Sequence, residues 1–255
     1  MKLLVCFKIV RDFDSVMAKD WEKAGTAAFD LSYAMKQISC YDEAALETAL
    51  RIKDADQETV VEAITIGNED YDFFYRNLFA VGIDRIIQLR CEEDLTFRPH
   101  KVAERISSYA RDYDLILTGT KDSMGENGRV YTCLSSLLSY PCLGSVSSVR
   151  KDENGLVVTY HSQGRRKTVL LHDKAVLAIG DSINPYLRMA TLREKLKAKN
   201  RKAEIFDVNT EGEDDYVIET LYQERKDRHC RFIEGKDTET KMKELFAYLK
   251  KEVER

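Results

Sequence analysis

The sequence predicts an α/β protein with a doubly wound, mostly parallel sheet. Three observations favour this class: short apolar runs alternate four times with helical patterns, the connections between them are short, and one apolar run leads through a glycine-bearing loop into a further helix. After residue 141 the pattern changes to short strands separated by turn signals, which indicates antiparallel strands added to the sheet. Ligands of such sheets bind beyond the carboxyl ends of the parallel strands.

The first half of the chain supplies the alternation. An apolar run at 2–10 predicts the first strand, and the mixed segment 12–39 predicts a small hairpin or a functional excursion. Gly82 stands where one helical pattern needs a C-cap. The remaining patterns predict a helix at 41–53, a strand at 59–66, a helix at 71–81, a strand at 85–90, a helix at 102–109, a strand at 115–117 and a helix at 130–138.

The second half supplies the antiparallel addition and a tail. Short apolar runs predict strands at 145–149, 156–160, 167–171 and 175–179. A basic run at 188–202 is either a docking surface or a solvated helix face, and an acidic linker follows at 209–215. The last pattern, at 239–253, predicts an amphipathic helix whose apolar residues need a surface to cover, namely Met242, Leu245, Phe246 and Leu249.

Composition excludes several classes of function. The 255-residue chain has a net charge of −4, so as a whole it lacks the positive charge that is typical of nucleic-acid-binding proteins. No apolar run approaches the roughly 20 residues that span a bilayer, and the opening apolar run reads as a buried strand, so we expect a cytoplasmic protein without membrane insertion. Six scattered cysteines and four distant histidines give no metal site and no catalytic constellation, so we expect a protein that is not an enzyme.

The segment 114–130 carries the strongest chemical signal. A buried strand that ends in a loop and feeds a helix N-terminus directs backbone N–H groups and the positive end of the helix dipole at one spot. Gly119, Gly125 and Gly128 allow a ligand to approach the backbone closely. The segment therefore predicts a site for a nucleotide phosphate or diphosphate, and the alternative is an ordinary polar loop.

Five segments in the same order resemble the beta (small) subunit of the electron-transfer flavoproteins. They are Val5-Cys-Phe-Lys8, the helix start at 40–50 (Cys-Tyr-Asp-Glu-Ala-Ala-Leu-Glu-Thr-Ala-Leu), Gly-Ile-Asp-Arg-Ile-Ile at 82–87, Tyr-Asp-Leu-Ile-Leu-Thr-Gly at 113–119, and Ile183-Asn184 with Arg-Met-Ala-Thr-Leu at 188–192. The resemblance extends over nearly the whole chain, since these segments are spread from residue 5 to residue 192. The resemblance implies an adenine-nucleotide-binding, Rossmann-like fold for residues 1–207, followed by a C-terminal arm and helix for a partner subunit at 208–255.

The resemblance also implies cofactors and partners. A member of this family forms a heterodimer with an alpha subunit that carries the redox FAD, and the beta subunit itself holds AMP or a second FAD. Carried over by position, the cofactor contacts are Cys6, Ser39, Cys40, Tyr41, Asp42, Ile66, Gly119, Thr120, Lys121, Asp122, Ser123, Met124, Gly125, Glu126, Asn127, Gly128, Arg129 and Val130. Asp42 is expected either to cap its helix or to bond the ribose or adenine, and Phe13 to lie near the partner's flavin.

Partner contacts come from the same comparison. Residues Arg188, Leu192 and Arg193 resemble a loop that docks on a dehydrogenase, and 217–235 resembles an arm that wraps the alpha subunit. The implied function is transfer of electrons between a dehydrogenase and an acceptor, in complex with the alpha subunit. The alternative is a stand-alone nucleotide-binding or sensing domain without a redox role.

The chain departs from the family at the nucleotide loop, which makes it a divergent member. The family's usual Asp-Gly-Asp-Thr-Ala-Gln is Met-Gly-Glu-Asn-Gly-Arg at 124–129. Asn127 can still donate a hydrogen bond to a phosphate through its amide, and Arg129 adds a cation able to grip a diphosphate. The sequence leaves AMP and a second FAD as open alternatives.

Overall fold

A computed structural model describes residues 1–21, 31–93, 95, 97–121, 128–208, 230 and 232–253. The strands in these ranges are β1 (Lys2–Cys6), β2 (Ile9–Arg11), β3 (Lys36–Ile38), β4 (Val60–Ile66), β5 (Arg85–Arg90), β6 (Leu115–Gly119), β7 (Cys142–Asp152), β8 (Gly155–Ser162), β9 (Arg165–Leu171), β10 (Ala175–Ile179) and β11 (Glu204–Asp207). The α-helices are α1 (Ala18–Trp21), α2 (Cys40–Ala55), α3 (Asp72–Val81), α4 (Pro99–Ala110), α5 (Val130–Leu138), α6 (Leu192–Ala198) and α7 (Thr238–Val253).

A nine-stranded sheet organises the molecule, in the order β11-β5-β4-β1-β6-β10-β7-β8-β9. Neighbours from β11 to β7 are parallel, and β8 and β9 continue the sheet as antiparallel strands. From β1 the chain passes to β4 and β5 on one side and then returns to β6 on the other. This reversal beside β1 makes the sheet doubly wound, so the predicted fold class is confirmed.

Two layers of helices cover the sheet because alternate residues of each buried strand point to opposite faces. On one face Leu3 and Val5 of β1 pack in a core with α2 and α3. On the other face Leu4 and Cys6 pack in a core with α4 and α5. The helices α4 and α5 therefore lie side by side, and both begin at the carboxyl end of the strands.

Most predicted elements lie where the sequence places them. The helices predicted at 41–53, 71–81 and 130–138 are α2, α3 and α5, and Gly82 ends α3 with φ of +113°. The mixed segment 12–39, predicted to hold a small hairpin or a functional excursion, contains the strand β3, whose antiparallel partner β2 lies just before the segment, so the hairpin is not contained within 12–39. The predicted C-terminal helix is α7, and its four apolar residues are exposed.

Two strand predictions are wrong. Ala175–Ile179 is not part of the antiparallel addition, because β10 pairs in parallel with both β6 and β7. Residues 2–10 are not one strand, because β1 ends at Cys6 and the separate strand β2 begins at Ile9. An apolar run marks a strand as buried, whereas its direction and partners depend on the path of the chain.

The C-terminal segments are described in part. The acidic linker 209–215 lies outside the described residues, as does most of the predicted arm at 217–235. The sheet includes β11, which ends at Asp207. A boundary between domains at 207 and 208 stays a prediction.

Candidate nucleotide site

A cavity of about 510 Å³ opens at the carboxyl ends of β1, β4 and β6. Its floor includes Cys6, Ile66 and Gly119, the last residues of those strands. The first turns of α4 and α5 reach the same cavity through Pro99 and Val130. Neither Arg98 nor Arg129, the N-cap residues, forms a side-chain cap in the described part of the chain. The positive ends of two helix dipoles thus meet one cavity, which favours an anionic ligand.

Asp42 joins the ends of two strands below the cavity. Its Oδ2 accepts a hydrogen bond from the backbone N of Lys8 at 2.9 Å, and its Oδ1 accepts one from the backbone N of Gly119 at 2.8 Å. Ser39 is the N-cap of α2, and the Asp42 carboxylate bonds to Lys8, just after β1, and to Gly119 of β6. Asp42 is buried but lines the cavity, so it shapes the floor.

Gly119 must be glycine for this contact. A Cβ atom at Gly119 would stand 2.5 Å from Asp42 Oδ1 and 2.9 Å from Tyr41 Cβ. Both distances are shorter than real Cβ contacts, so the strand end could not approach α2 as it does. The close packing of β6 against α2 in the cavity floor therefore requires glycine at position 119.

The described ends of the loop after β6 line one end of the cavity. Gly119, Thr120, Lys121, Gly128, Arg129 and Val130 all line the cavity. Gly128 has a φ of +55°, and a Cβ there would lie 2.8 Å from Thr120 O, so the two ends of the loop meet closely. Asp122, Ser123, Met124, Gly125, Glu126 and Asn127, which the sequence also predicts as contacts, lie outside the described residues.

The floor of the cavity contains a thiol, on Cys6, and a hydroxyl, on Thr65, that differ in their availability for chemistry or binding. Burial, and then the carboxylate of Asp42, raise the pKa of the Cys6 thiol, so this cysteine stays protonated and is a poor nucleophile. Thr65 is 1% exposed, and its Oγ1 has no hydrogen-bond partner among the described residues. A buried hydroxyl without a partner is costly, and one in a cavity wall is available to a ligand.

The β2–β3 side of the cavity carries charge that the sequence did not reveal. Lys36 forms an ion pair with Glu69, and Arg11 approaches the same carboxylate at 3.9 Å. Burial and then Arg11 lower the pKa of Lys36, while burial raises the pKa of the Tyr71 hydroxyl. These side chains come from β2, β3 and the region after β4, so no local pattern predicts that they meet at the cavity.

Some predicted contacts do not line the cavity. Ser39 is buried and Cys40 is exposed at the start of α2, and Tyr41 lies beside Gly119 without reaching the cavity surface. Phe13 stacks edge-to-face on Trp21, with ring centroids 5.7 Å apart. Of the residues predicted from 39–42, the structure brings only Asp42 into the cavity wall.

Arg188 has an internal partner. Buried Glu47 accepts hydrogen bonds from the Arg188 backbone N at 3.1 Å, from Nε at 3.0 Å and from Nη2 at 3.0 Å. Asp54 adds an ion pair to Nη2 at 2.8 Å. The guanidinium therefore holds the loop before α6 on α2, while Leu192 (74% exposed) and Arg193 stay at the surface.

The cavity has the size, the position in the sheet and the mixed polarity of a ligand site. Ligand pockets typically measure about 300–1,000 Å³, combine apolar walls with a few polar groups, and lie at the reversal point of doubly wound sheets. Here Cys6 and Ile66 give an apolar floor, Thr65 offers a hydroxyl, and Lys121 and Arg129 offer positive charge. No group of side chains in the described ranges is arranged to hold a metal ion, and no helix there is both long and apolar enough to cross a membrane.

Comparisons with known proteins agree with this geometry. The sequence model of the family described as "Electron transfer flavoprotein domain" matches residues 28–211. YgcR of Escherichia coli (strain K12), whose name describes a candidate electron transfer flavoprotein subunit, is 26% identical over 209 residues, which is 80% of each chain. An electron transfer flavoprotein subunit beta from Bradyrhizobium diazoefficiens is 27% identical over 203 residues (79% of each chain), and one from Bacillus subtilis (strain 168) is 30% identical over 115 residues (44% of each chain).

Proposed function

Because the chain belongs to the electron transfer flavoprotein family, as a divergent member of the beta-subunit type, we propose that it binds AMP or FAD and passes electrons in complex with an alpha subunit. The electrons would move between a dehydrogenase and an acceptor. The observation that carries the proposal is the cavity at the reversal of the sheet, where the N-termini of α4 and α5 and the loop after β6 converge.

The phosphate of the nucleotide would lie at the start of α5. The backbone N–H groups of the first turn of a helix are not used within the helix, and they favour an anion. Lys121 and Arg129 add positive charge beside them. We propose the predicted contacts 119–121 and 128–130 as the phosphate-binding part of the site, and the predicted contacts 122–127 as its continuation.

The base and ribose would occupy the floor. Ile66 and Cys6 offer apolar surface to a planar base, and the Oγ1 atom of Thr65 offers a hydrogen bond that no described residue takes. Asp42 would act on the nucleotide through the backbone, by holding Gly119 and Lys8 in place. The predicted direct contacts of Ser39, Cys40 and Tyr41 are not part of this proposal, since they do not line the cavity.

The redox chemistry belongs to the flavin, which accepts and donates electrons when bound. This chain would bind the nucleotide, orient it and present a surface to other proteins, so we propose a carrier subunit that is not itself an enzyme. Leu192 and Arg193 are its proposed contacts with a dehydrogenase: an apolar side chain within a basic rim is common in transient interfaces. We propose the cytoplasm as its location.

The test is co-expression with an alpha-type subunit of the same family, followed by anaerobic reduction of the purified complex and reoxidation by a dye acceptor. We expect a stable complex of the two chains that is yellow, is bleached by dithionite and recovers its flavin absorbance when the dye is added. A chain that purifies alone, without flavin and without a partner, would contradict the proposal and favour the stand-alone nucleotide-sensing alternative.

A further inference from the structure

A cluster of charged side chains lies behind the α4 end of the cavity. Glu93, which lines the cavity after β5, accepts hydrogen bonds from Lys101 Nζ at 2.9 Å and from Arg105 Nη2 at 2.7 Å. Arg98 Nη1 bonds to the same carboxylate. Three cations thus converge on one carboxylate, on a helix face next to the one that reaches the cavity through Val102.

Arg105 is the member of the cluster with unused hydrogen-bonding capacity. It is 9% exposed, and its Nε and Nη1 atoms have no partner among the described residues. A guanidinium has five N–H donors arranged as a fork that matches the oxygens of a carboxylate or a phosphate. Because buried donors without acceptors are costly, this arrangement is better suited to an anion with more oxygens than Glu93 supplies.

The position of the cluster on α4 strengthens this argument. The helix has 12 residues, begins with Pro99, and carries no acidic residue in its first turn. The positive end of a helix dipole disfavours cations, yet Arg98 and Lys101 lie within this turn and Arg105 reaches the same carboxylate. The Glu93 carboxylate offsets part of this unfavourable placement, and an anion bound at the same helix N-terminus would offset more of it.

The cluster is separate from the phosphate end at α5. The cluster consists of Glu93, after β5, and of side chains on and just before α4, whereas the phosphate end consists of the loop after β6 and the first turn of α5. An anion held by Lys101 and Arg105 would therefore contact residues other than those proposed for the phosphate of the nucleotide.

We propose that Glu93, Lys101 and Arg105 form a second oxyanion subsite, which takes a phosphate ion or the phosphate of a phosphomonoester. The Glu93 carboxylate holds the cations together until the anion replaces it as the acceptor of the Arg105 N–H groups. This goes beyond the proposed function, because the subsite can bind phosphate whether or not a nucleotide occupies the α5 end.

The test is calorimetric titration of the full chain with inorganic phosphate, in the presence of saturating AMP so that the α5 end is filled. If AMP does not bind, the same titration is made on an Arg129→Met background, so failure of the nucleotide site and failure of the subsite are told apart. Loss of an Arg–phosphate contact costs about tenfold or more in affinity.

We expect Arg105→Met to weaken phosphate binding by that factor and Glu93→Gln to tighten it, because the competing charge is gone. Arg166→Met, on exposed β9, is the matched control and should bind like the wild type. Circular dichroism checks folding, and Arg105→Lys, which keeps the charge and loses the fork, should give an intermediate affinity if the larger substitution unfolds the chain.

Opposite effects of Arg105→Met and Glu93→Gln support the subsite. Unchanged binding in Arg105→Met, or weakened binding in Glu93→Gln, would overturn it. A parallel titration with phenyl phosphate identifies the source of the anion: binding with the same response to both substitutions assigns a phosphorylated ligand, and binding of inorganic phosphate alone assigns the free ion.

Discussion

Single residues near the cavity act mainly by fixing the backbone. Asp42 connects Lys8 and Gly119, which lie 34 and 77 residues away from it in the sequence. The sequence predicts Asp42 as a site residue but gives no way to see which N–H groups it accepts, because both contacts are long-range. Thr65 was missed for a similar reason: one hydroxyl in a buried strand carries no pattern until the strand end is placed beside a cavity.

Asp42→Asn tests the connection between the two strand ends. The amide has one acceptor oxygen, so one backbone N–H would face an NH₂ group instead of a carboxylate oxygen. We expect a loss of about 2 kcal/mol in the free energy of unfolding, which corresponds to about 4–8 °C in Tm for a chain of this size. Urea denaturation and calorimetry measure both quantities.

The control for this prediction is Asp112→Asn, at an exposed turn residue. Its Tm should stay within about 1 °C of the wild type, since surface substitutions usually change stability by less than 0.5 kcal/mol. Equal stability of the Asp42→Asn and Asp112→Asn variants would contradict the role given to Asp42.

Among the helices and strands, those with a buried apolar face could be predicted from the sequence. Parallel strands and the helices α2, α3 and α5 are predicted because apolar residues recur with the period of each element. The strand β11 has four exposed residues, so it shows no buried face, and it exists because the edge of β5 offers unpaired backbone groups. The direction of β10 could not be predicted from its local sequence pattern either, because the direction depends on how the chain returns from β9.

The loop before α6 depends on one clamp between Arg188 and Glu47. Removing the guanidinium leaves the Glu47 carboxylate, which is 3% exposed, with Arg51 Nε at 2.9 Å as its remaining charged partner in the described ranges. We expect Arg188→Met to lower the free energy of unfolding by about 2 kcal/mol, since Arg51 still pairs with Glu47, and the double variant Glu47→Gln/Arg188→Met to lose less than the sum of the single variants. Denaturant unfolding of the four proteins gives this coupling energy.

Arg193→Met is the matched control for the clamp, because Arg193 is exposed on the adjoining helix. Its stability should match that of the wild type within about 0.5 kcal/mol. Additive effects of the Glu47 and Arg188 substitutions would show that the two side chains do not act together.

The edge strand β11 gives a prediction about pH. Arg85 donates to both oxygens of Glu204, at 2.8 and 2.6 Å, and this contact holds the pKa of the Glu204 carboxyl below its ordinary value of 4.5. A carboxyl with a lowered pKa contributes stability above the ordinary value and loses it as the pH falls through the lowered pKa. The contact is partly exposed, so its contribution is about 1 kcal/mol or less.

Glu204→Gln should therefore lower the free energy of unfolding at pH 7 by about 1 kcal/mol or less. It should leave the free energy of unfolding unchanged at a pH well below the pKa of the Glu204 carboxyl in the folded protein. Urea titrations between pH 3 and pH 7 measure the difference between the variant and the wild type, with Glu58→Gln as the exposed control. A difference that grows as the pH falls would contradict the assigned sign.

At the scale of the whole molecule, charge and exposed apolar surface are unevenly distributed. The chain has a net charge of −4, yet residues 188–202 carry seven basic side chains and one acidic side chain. Exposed Leu192 and Leu196 lie within this basic segment, and Phe73 of α3 is exposed beside α6. This uneven surface is consistent with a subunit that meets other proteins, and the internal use of Arg188 leaves Leu192 and Arg193 as the proposed contacts.

The fold and the position of the cavity at the strand ends could thus be predicted from the sequence, whereas the arrangement of side chains around the cavity could not. The strand ends and the loop after β6 could be predicted because each is a continuous stretch of chain. The charges of Lys36, Glu69 and Glu93 at the cavity could not, because these residues come from segments that are far apart in sequence.

The nucleotide content of the complex with an alpha-type subunit tests the central claim most directly. Nucleotides released by heat from the purified complex are separated and quantified, for the wild type and for Arg129→Met. We expect one adenine nucleotide per copy of this chain in addition to the FAD of the alpha subunit, either AMP or a second FAD, and a reduced amount in the variant. A complex that holds the FAD of the alpha subunit and no further nucleotide would contradict the account.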